Sequence, residues 1–327
     1  MPPSLSPRRE QDAHEAGAVL SLRYARQLPV DFSDVLGVVG FGAGLPAMSC
    51  PFIKAPLSPV AEGPAYEIWQ AAGPVRHVSA GPVTGAYSDD LAFGCVRLEE
   101  GGLGLEDAAE RAYLAVFEFL ARTGFAEPVR FWNYLSAILD DDGGMERYRR
   151  FNIGRHRAFM ARLAQPVPPA ASCVGGHAAG SVVYFLAARE AATPVENPRQ
   201  VSAYEYPLQY GPRSPSFSRA GLFGEALFIS GTASIVGHET RHKGDVRAQL
   251  AETVENLRAL IGNAGQSAAL GDSAGWGLKV YLHDPLAQPL VEPVLDAMFG
   301  AQAQRMYLHG EVCRADLLIE IEAFYTR

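Results

Sequence analysis

The chain has 327 residues, 48% of them hydrophobic and 20% charged, with a net charge of −8. That is enough apolar material for one large or two medium domains with real cores, and it argues against wholesale disorder. The acidic balance argues against nucleic acid as a partner, because neutralising phosphates needs a basic surface; no apolar run approaches the roughly 20 residues that span a bilayer.

Residues 1–18 carry no apolar stretch of the kind a signal peptide needs and read as a flexible tail. The four cysteines, Cys50, Cys95, Cys173 and Cys313, are far apart and form no C-x-x-C. That spacing argues against a disulfide framework or a cysteine zinc site and points to a reduced, cytoplasmic setting. Residues 38–46 contain Gly40, Gly42 and Gly44 and imitate a nucleotide loop after a strand. The spacing is G-x-G-x-G, however, and Pro46, Pro51 and Pro56 oppose the helix whose N-terminus would hold phosphate. A tight turn is the expected use of these glycines.

Strand-like residues 91–97 follow, then an amphipathic helix over 106–122 with acids in its first turn and Gly124 past its end. A strand over 129–135, a basic helix over 145–163 and strands over 172–175 and 181–187 complete the first half. The polar, proline-containing stretch 193–200 is the expected boundary. The second half repeats the order: a strand over 227–236, a helix over 245–261 with Asp245 at its start, a strand over 277–283, a helix over 285–299, and strands over 305–312 and 317–325. The expected fold class is therefore α+β, two units in tandem with helices on one face of mixed sheets. The expected domains are 19–192 and 193–327.

His238-Glu239-Thr240-Arg241-His242 satisfies the H-E-x-x-H zinc-protease pattern. In such proteases both histidines share one helical face. Here Gly237 and Gly244 bracket the segment, and the helical periodicity starts only at Asp245. A strand-to-helix loop without metal is the expectation.

The second half resembles the RidA/YjgF (chorismate-mutase-like) imine-deaminase family. The likeness rests on Phe228-Ile229-Ser230-Gly231 before the long helix and on Ile319-Glu320-Ile321-Glu322-Ala323 in the last strand. The family's spacing counts back from there to Arg305. The first half resembles a degenerate copy, with Ala171 at the arginine position and Tyr184 and Phe185 where the acids would be. One catalytic site per chain is therefore expected. Over nearly everything after residue 20 the chain is also similar to the chorismatases. The segments that carry this are 196–204, 210–220, 230–239 and, in the first half, 131–134 and 147–155.

The resemblance implies an enzyme that removes pyruvate from chorismate without a cofactor or metal. Glu320 would be the general acid that protonates the enolpyruvyl methylene carbon, and Arg305 and Arg213 would hold the two carboxylates. Tyr204, Tyr210, Arg155 and Asn152 are further substrate-binding candidates. Glu322 shares the strand face of Glu320, so physics alone does not choose between them. Cys313 and Gly231 occupy places that the resemblance associates with 3-hydroxybenzoate as product, with 4-hydroxybenzoate also released by some relatives. The alternatives are hydrolysis to a dihydroxycyclohexadiene carboxylate, imine or enamine hydrolysis, and ligand binding without turnover. RidA proteins are trimers, so two fused copies leave open a monomer or further association into a homotrimer.

Overall fold

A computed structural model describes residues 20–42, 44, 48–162 and 167–326. The tail read at 1–18, Pro46 and the last residue of the basic helix lie outside the described residues.

Three sheets share one core. A four-stranded sheet has the order Leu20–Ala25, Tyr66–Ala71, Val35–Phe41, Phe52–Ala55. A six-stranded sheet runs Ala170–Gly176, Glu127–Ser136, Ser181–Ala188, Leu91–Leu98, Val83–Tyr87, Arg76–Ala80. A seven-stranded sheet runs Thr193–Val195, Ala220–Phe223, Ala226–Ala233, Ile319–Tyr325, Trp276–Leu282, Gln304–His309, Ser58–Pro59. All three are mixed: each contains one parallel pair among antiparallel ones. Ser58–Pro59, from the N-terminal part of the chain, pairs with the edge of the C-terminal sheet.

Helices α1 (Gly104–Thr123) and α2 (Arg147–Arg162) cover one face of the six-stranded sheet, and α3 (Val246–Asn263) and α4 (Gln288–Phe299) cover one face of the seven-stranded sheet. Their ends follow the local chemistry. Gly124 takes a φ of 76° and returns its N–H to the carbonyl of Leu120, which ends α1. The Asp245 side chain accepts from the N–H groups of Arg247 and Ala248 and starts α3. The proline-rich start of the fourth helical segment becomes a 3-10 turn, Pro285–Ala287, before α4 begins. No helix among the described residues is long and apolar enough to cross a membrane.

Strand alternation decides what each face carries. In Ile319–Tyr325 the residues Ile319, Ile321, Ala323 and Tyr325 face the helices, while Phe324 joins the inner core. Glu320 and Glu322 share the inner face with Phe324. The inner faces of the two larger sheets meet the four-stranded sheet, with Phe41 and Trp69 packed among Trp132, Tyr184, Phe228 and Phe324.

A polar cluster sits inside this core and ties all three sheets together. Lys279 Nζ lies 2.6 Å from Glu67 and 2.7 Å from Glu322, and it donates to the hydroxyls of Tyr184 at 2.6 Å and Tyr134 at 2.9 Å. Burial opposes the lysine charge, but Glu322 and Glu67 outweigh it and hold the ammonium above its ordinary pKa. Buried charges persist when they are paired and hydrogen-bonded in this way.

Candidate active site

At the seam between the halves lies a cavity of about 260 Å³. The seam forms where edge strand Ala170–Gly176 meets strand Ala226–Ala233. There Ala171 N donates to Ser230 Oγ and Gly231 N donates to Ser172 Oγ, both at 2.9 Å. The strand Ala226–Ala233 has a register shift against Ile319–Tyr325 between Ile229 and Thr232. This irregularity puts Gly231 at the cavity wall, and the long strand read from the sequence ends at Ala233. The chain between the halves, residues 203–217, straps over the cavity and contributes Tyr206, Tyr210 and Phe217.

Glu320 reaches the cavity from the inner face of its strand and is 4% exposed. No described residue donates a hydrogen bond to its carboxyl. A Cβ built at Gly231 would fall on its Oε1, so only glycine leaves the carboxyl this seat. Burial first, and the neighbouring Glu322 charge second, push Glu320 up to about 8, against the pull of Arg130 and Arg219. At neutral pH it is a protonated acid facing a cavity. Glu322 goes the other way. Burial would raise it, but Lys279, Arg130 and hydrogen bonds from Lys279 and Ser172 outweigh that and hold it below the ordinary carboxylate value. Two glutamates on one strand face thus have opposite protonation states, set by their surroundings.

Four arginines line the same cavity: Arg149, Arg155, Arg219 and Arg314. Arg155, on α2, is 2% exposed and lies over the rings of Tyr113, Phe131 and Phe159. Its Nε and Nη2 have no hydrogen-bond partner. Arg219 donates to Tyr206 Oη at 2.7 Å and to the carbonyl of Val201 at 2.8 Å, and its Nε is likewise without a partner. Arg314 lies 4.0 Å from the ring centre of Tyr210 and donates to the carbonyl of His238 at 2.8 Å. Cys313 also lines the cavity. Burial and the Glu320 charge push its thiol up to about 12, and Tyr148 bonds it.

The H-E-x-x-H segment forms a two-stranded hairpin, Ile235–Val236 with Glu239–Thr240, and not a helix. Its histidines turn to different partners. The Tyr210 hydroxyl lies 3.2 Å from His238 Nδ1 and donates to the His238 carbonyl at 2.7 Å, whereas His242 pairs with Glu252.

Of the residues singled out in the sequence, the structure brings together Glu320, Cys313, Gly231, Tyr210 and Arg155. It separates four from them. Arg305 shares a strand face with Tyr307, toward the helices, opposite the face that carries Glu320. Its guanidinium holds Asp296 at 2.8 Å and the carbonyl of Gly300 at 2.6 Å. Arg213 is exposed on the outside of the strap, and Tyr204 lies in the short turn Ala203–Glu205 without lining the cavity. Asn152 is buried in α2 and does not line the cavity either. Arg149, Arg219, Arg314 and Tyr206 were missed. Arg219 and Arg149 lie inside segments 210–220 and 147–155, where an arginine one or two residues from an aromatic one was the available signal.

These features define a small-molecule site built at the seam of two tandem α+β units. Residues 67–187 match the model of the chorismatase FkbO/Hyg5-like N-terminal family. The chain is 36% identical over 324 residues to a 3-hydroxybenzoate synthase of Streptomyces hygroscopicus, covering 91% of this chain and 93% of that protein. It is 38% identical over 272 residues to a chorismatase of Streptomyces rapamycinicus, covering 78% and 80%. A chorismatase crystal structure superposes with a TM-score of 0.85 at 32% identity, over 94% of this chain and 98% of that one. The chain belongs to the chorismatase family.

Proposed function

We propose that the enzyme converts chorismate to 3-hydroxybenzoate and pyruvate, with Glu320 as the proton donor. The observation that carries this is the neutral carboxyl of Glu320, free of hydrogen bonds and facing a cavity rich in arginine. Chorismate is a dianion with an enol ether. Arg155, whose unpartnered N–H groups lie buried at the site, takes one carboxylate; Arg219 and Arg314 of the C-terminal half take the other. Glu320 passes its proton to the methylene carbon, and the resulting oxocarbenium ion weakens the bond between the ring and the ether oxygen. The neighbouring ring hydroxyl displaces that oxygen, pyruvate leaves as the ketone, and the hydroxyl proton restores the Glu320 carboxyl. That displacement closes an epoxide on the ring; breaking its C–O bond at the carbon that carried the hydroxyl, with loss of a ring proton, then gives the phenol. The products contain all the atoms of chorismate, with none added from water. Cys313 enters as a neutral S–H beside the ring and guides that last proton loss, not as a thiolate nucleophile.

The four-stranded sheet covers the inner faces of both units. The monomer is therefore the proposed working unit. Imine hydrolysis by an Arg305–Glu320 pair is disfavoured, because these residues lie on opposite faces of the sheet. Incubation with chorismate and chromatography of the products tests the proposal: 3-hydroxybenzoate and pyruvate in equal amounts are expected. A diene diol as the main product would replace the ring hydroxyl by water as the attacking group.

Gly231→Ala is expected to leave the fold intact, because the atom it displaces is the end of a flexible side chain. The Glu320 carboxyl must move aside, and turnover should fall by roughly tenfold or more, since misplacing a reacting group by about 1 Å costs up to about a hundredfold. The share of 3-hydroxybenzoate should fall with it. Steady-state rates and product ratios for the variant check both.

A further inference from the structure

Glu322 lines no part of the cavity, yet it is as deeply buried as the proton donor, at 3% exposed. Its Oε1 accepts from Trp132 Nε1 at 2.7 Å and lies 2.7 Å from Lys279 Nζ. Its Oε2 accepts from Arg130 Nη2 at 3.0 Å and from Ser172 Oγ. Both oxygens are thus held by two donors each. Arg130, Trp132 and Ser172 come from the first half of the chain; Lys279 comes from the second. The Ser172 hydroxyl also accepts from Arg130 Nη2 at 2.6 Å and from the N–H of Gly231 at 2.9 Å. Gly231 is the residue over which the Glu320 carboxyl lies. An unbroken set of contacts therefore runs from Glu322 through Ser172 to the seat of the acid.

We propose that Glu322 is a positioning residue for the proton donor: clamped by both halves, it fixes the irregular strand under Glu320 and stands behind it as a permanent negative charge. This rests on the reading of Glu320 as the donor. Residues two apart on a strand face are about 7 Å from each other, and a like charge at that range favours the neutral form of its neighbour. The other groups acting on Glu320 come from separate elements. Arg130 from Glu127–Ser136 and Arg219 from the residue before Ala220–Phe223 favour its ionised form. Cys173 and Cys313 face it as half-buried thiols, both pushed up by desolvation. Arg155 lines the same cavity. Without Glu322 only burial is left to oppose the two arginines. The role also accounts for the degenerate first half, whose strand Ala170–Gly176 lacks a catalytic group but supplies Ser172.

The test is the pH profile of kcat/KM for Glu322→Gln beside the native chain. The alkaline limb of the variant is expected to move down by roughly one pH unit or more. At pH 8 a shift of one unit is about a fivefold loss against the native chain, recovered to within a few-fold at pH 6. A merely structural defect would lower the rate equally at all pH values; that result, or an unmoved limb in a folded variant, overturns the proposal. A native profile with no alkaline limb sinks the donor reading itself, and this role with it. Should the variant not fold, carbon-13 NMR of the glutamate-labelled native chain decides. Among the described residues the buried acids are Glu67, Glu320 and Glu322, and Glu320→Gln removes one signal. The Glu322 carboxylate is expected to stay ionised between pH 5 and 9 and to shift as Glu320 titrates. A Glu322 signal that protonates in that range, or that ignores Glu320, contradicts the role.

Discussion

Glu320→Gln is expected to lower kcat by about a hundredfold to ten-thousandfold, the range a positioned general acid contributes, while KM changes by no more than a few-fold. The amide keeps the shape that fits over Gly231 but holds no transferable proton. The same variant carries a stability signature. In the native fold Glu320 titrates at about 8, well above its ordinary value of 4.5. The unfolded chain therefore releases this proton first as pH rises. Stability from the neutral buried acid is fully present below pH 4.5, declines as pH rises, and is gone above about 8. Glutamine has no such dependence, so melting curves of the variant should lack that decline and show it gaining on the native chain toward pH 8. Native-like turnover in a folded Glu320→Gln would place the proton donor elsewhere.

Arg155→Met is expected to weaken binding of chorismate and of 3-hydroxybenzoate by roughly 10- to 100-fold, as befits a lost charged hydrogen bond, with a smaller effect on kcat. The ligand-free variant should melt at the same temperature or higher. Arg155 is 2% exposed, and two of its nitrogens have no partner, although three aromatic rings lie beneath its guanidinium. A buried charge without its counter-ion destabilises a fold, and a functional site tolerates this because the ligand supplies the anion. Calorimetric titration with 3-hydroxybenzoate and thermal melts with and without it check both halves. Unchanged affinity would move the carboxylate to another arginine of the cavity.

Much of this was legible in the sequence because local chemistry sets element ends and faces. Asp245 caps α3 and Gly124 stops α1 for reasons visible in the residues themselves. Glu320 and Gly231 were legible through the resemblance, which places them in the Ile-Glu-Ile-Glu-Ala and Ser-Gly motifs; a charge between isoleucines fits a buried acid but did not by itself choose Glu320 over Glu322. Arg305 shows the limit: spacing along the chain places it near the right strands, but alternation turns its side chain to the helical face. The polar core was hidden for a different reason. Glu67 and Lys279 are single charges in otherwise apolar strands, and Arg130 is the one charge inside a strand whose first residue is Glu127, a signal of buried pairing. The pairs Arg130–Glu322 and Lys279–Glu67 join different sheets across more than a hundred residues of chain. Tyr206 and Arg314 were missed similarly, because they meet only once the strap has folded over the cavity.

The central claim is that a buried, neutral Glu320 supplies the proton. The pH dependence of kcat/KM for chorismate in the native enzyme tests it most directly. The rate should hold level through neutrality and fall about tenfold per pH unit above roughly pH 8, as the carboxyl ionises. A rate that stays flat or climbs through pH 9 would contradict it.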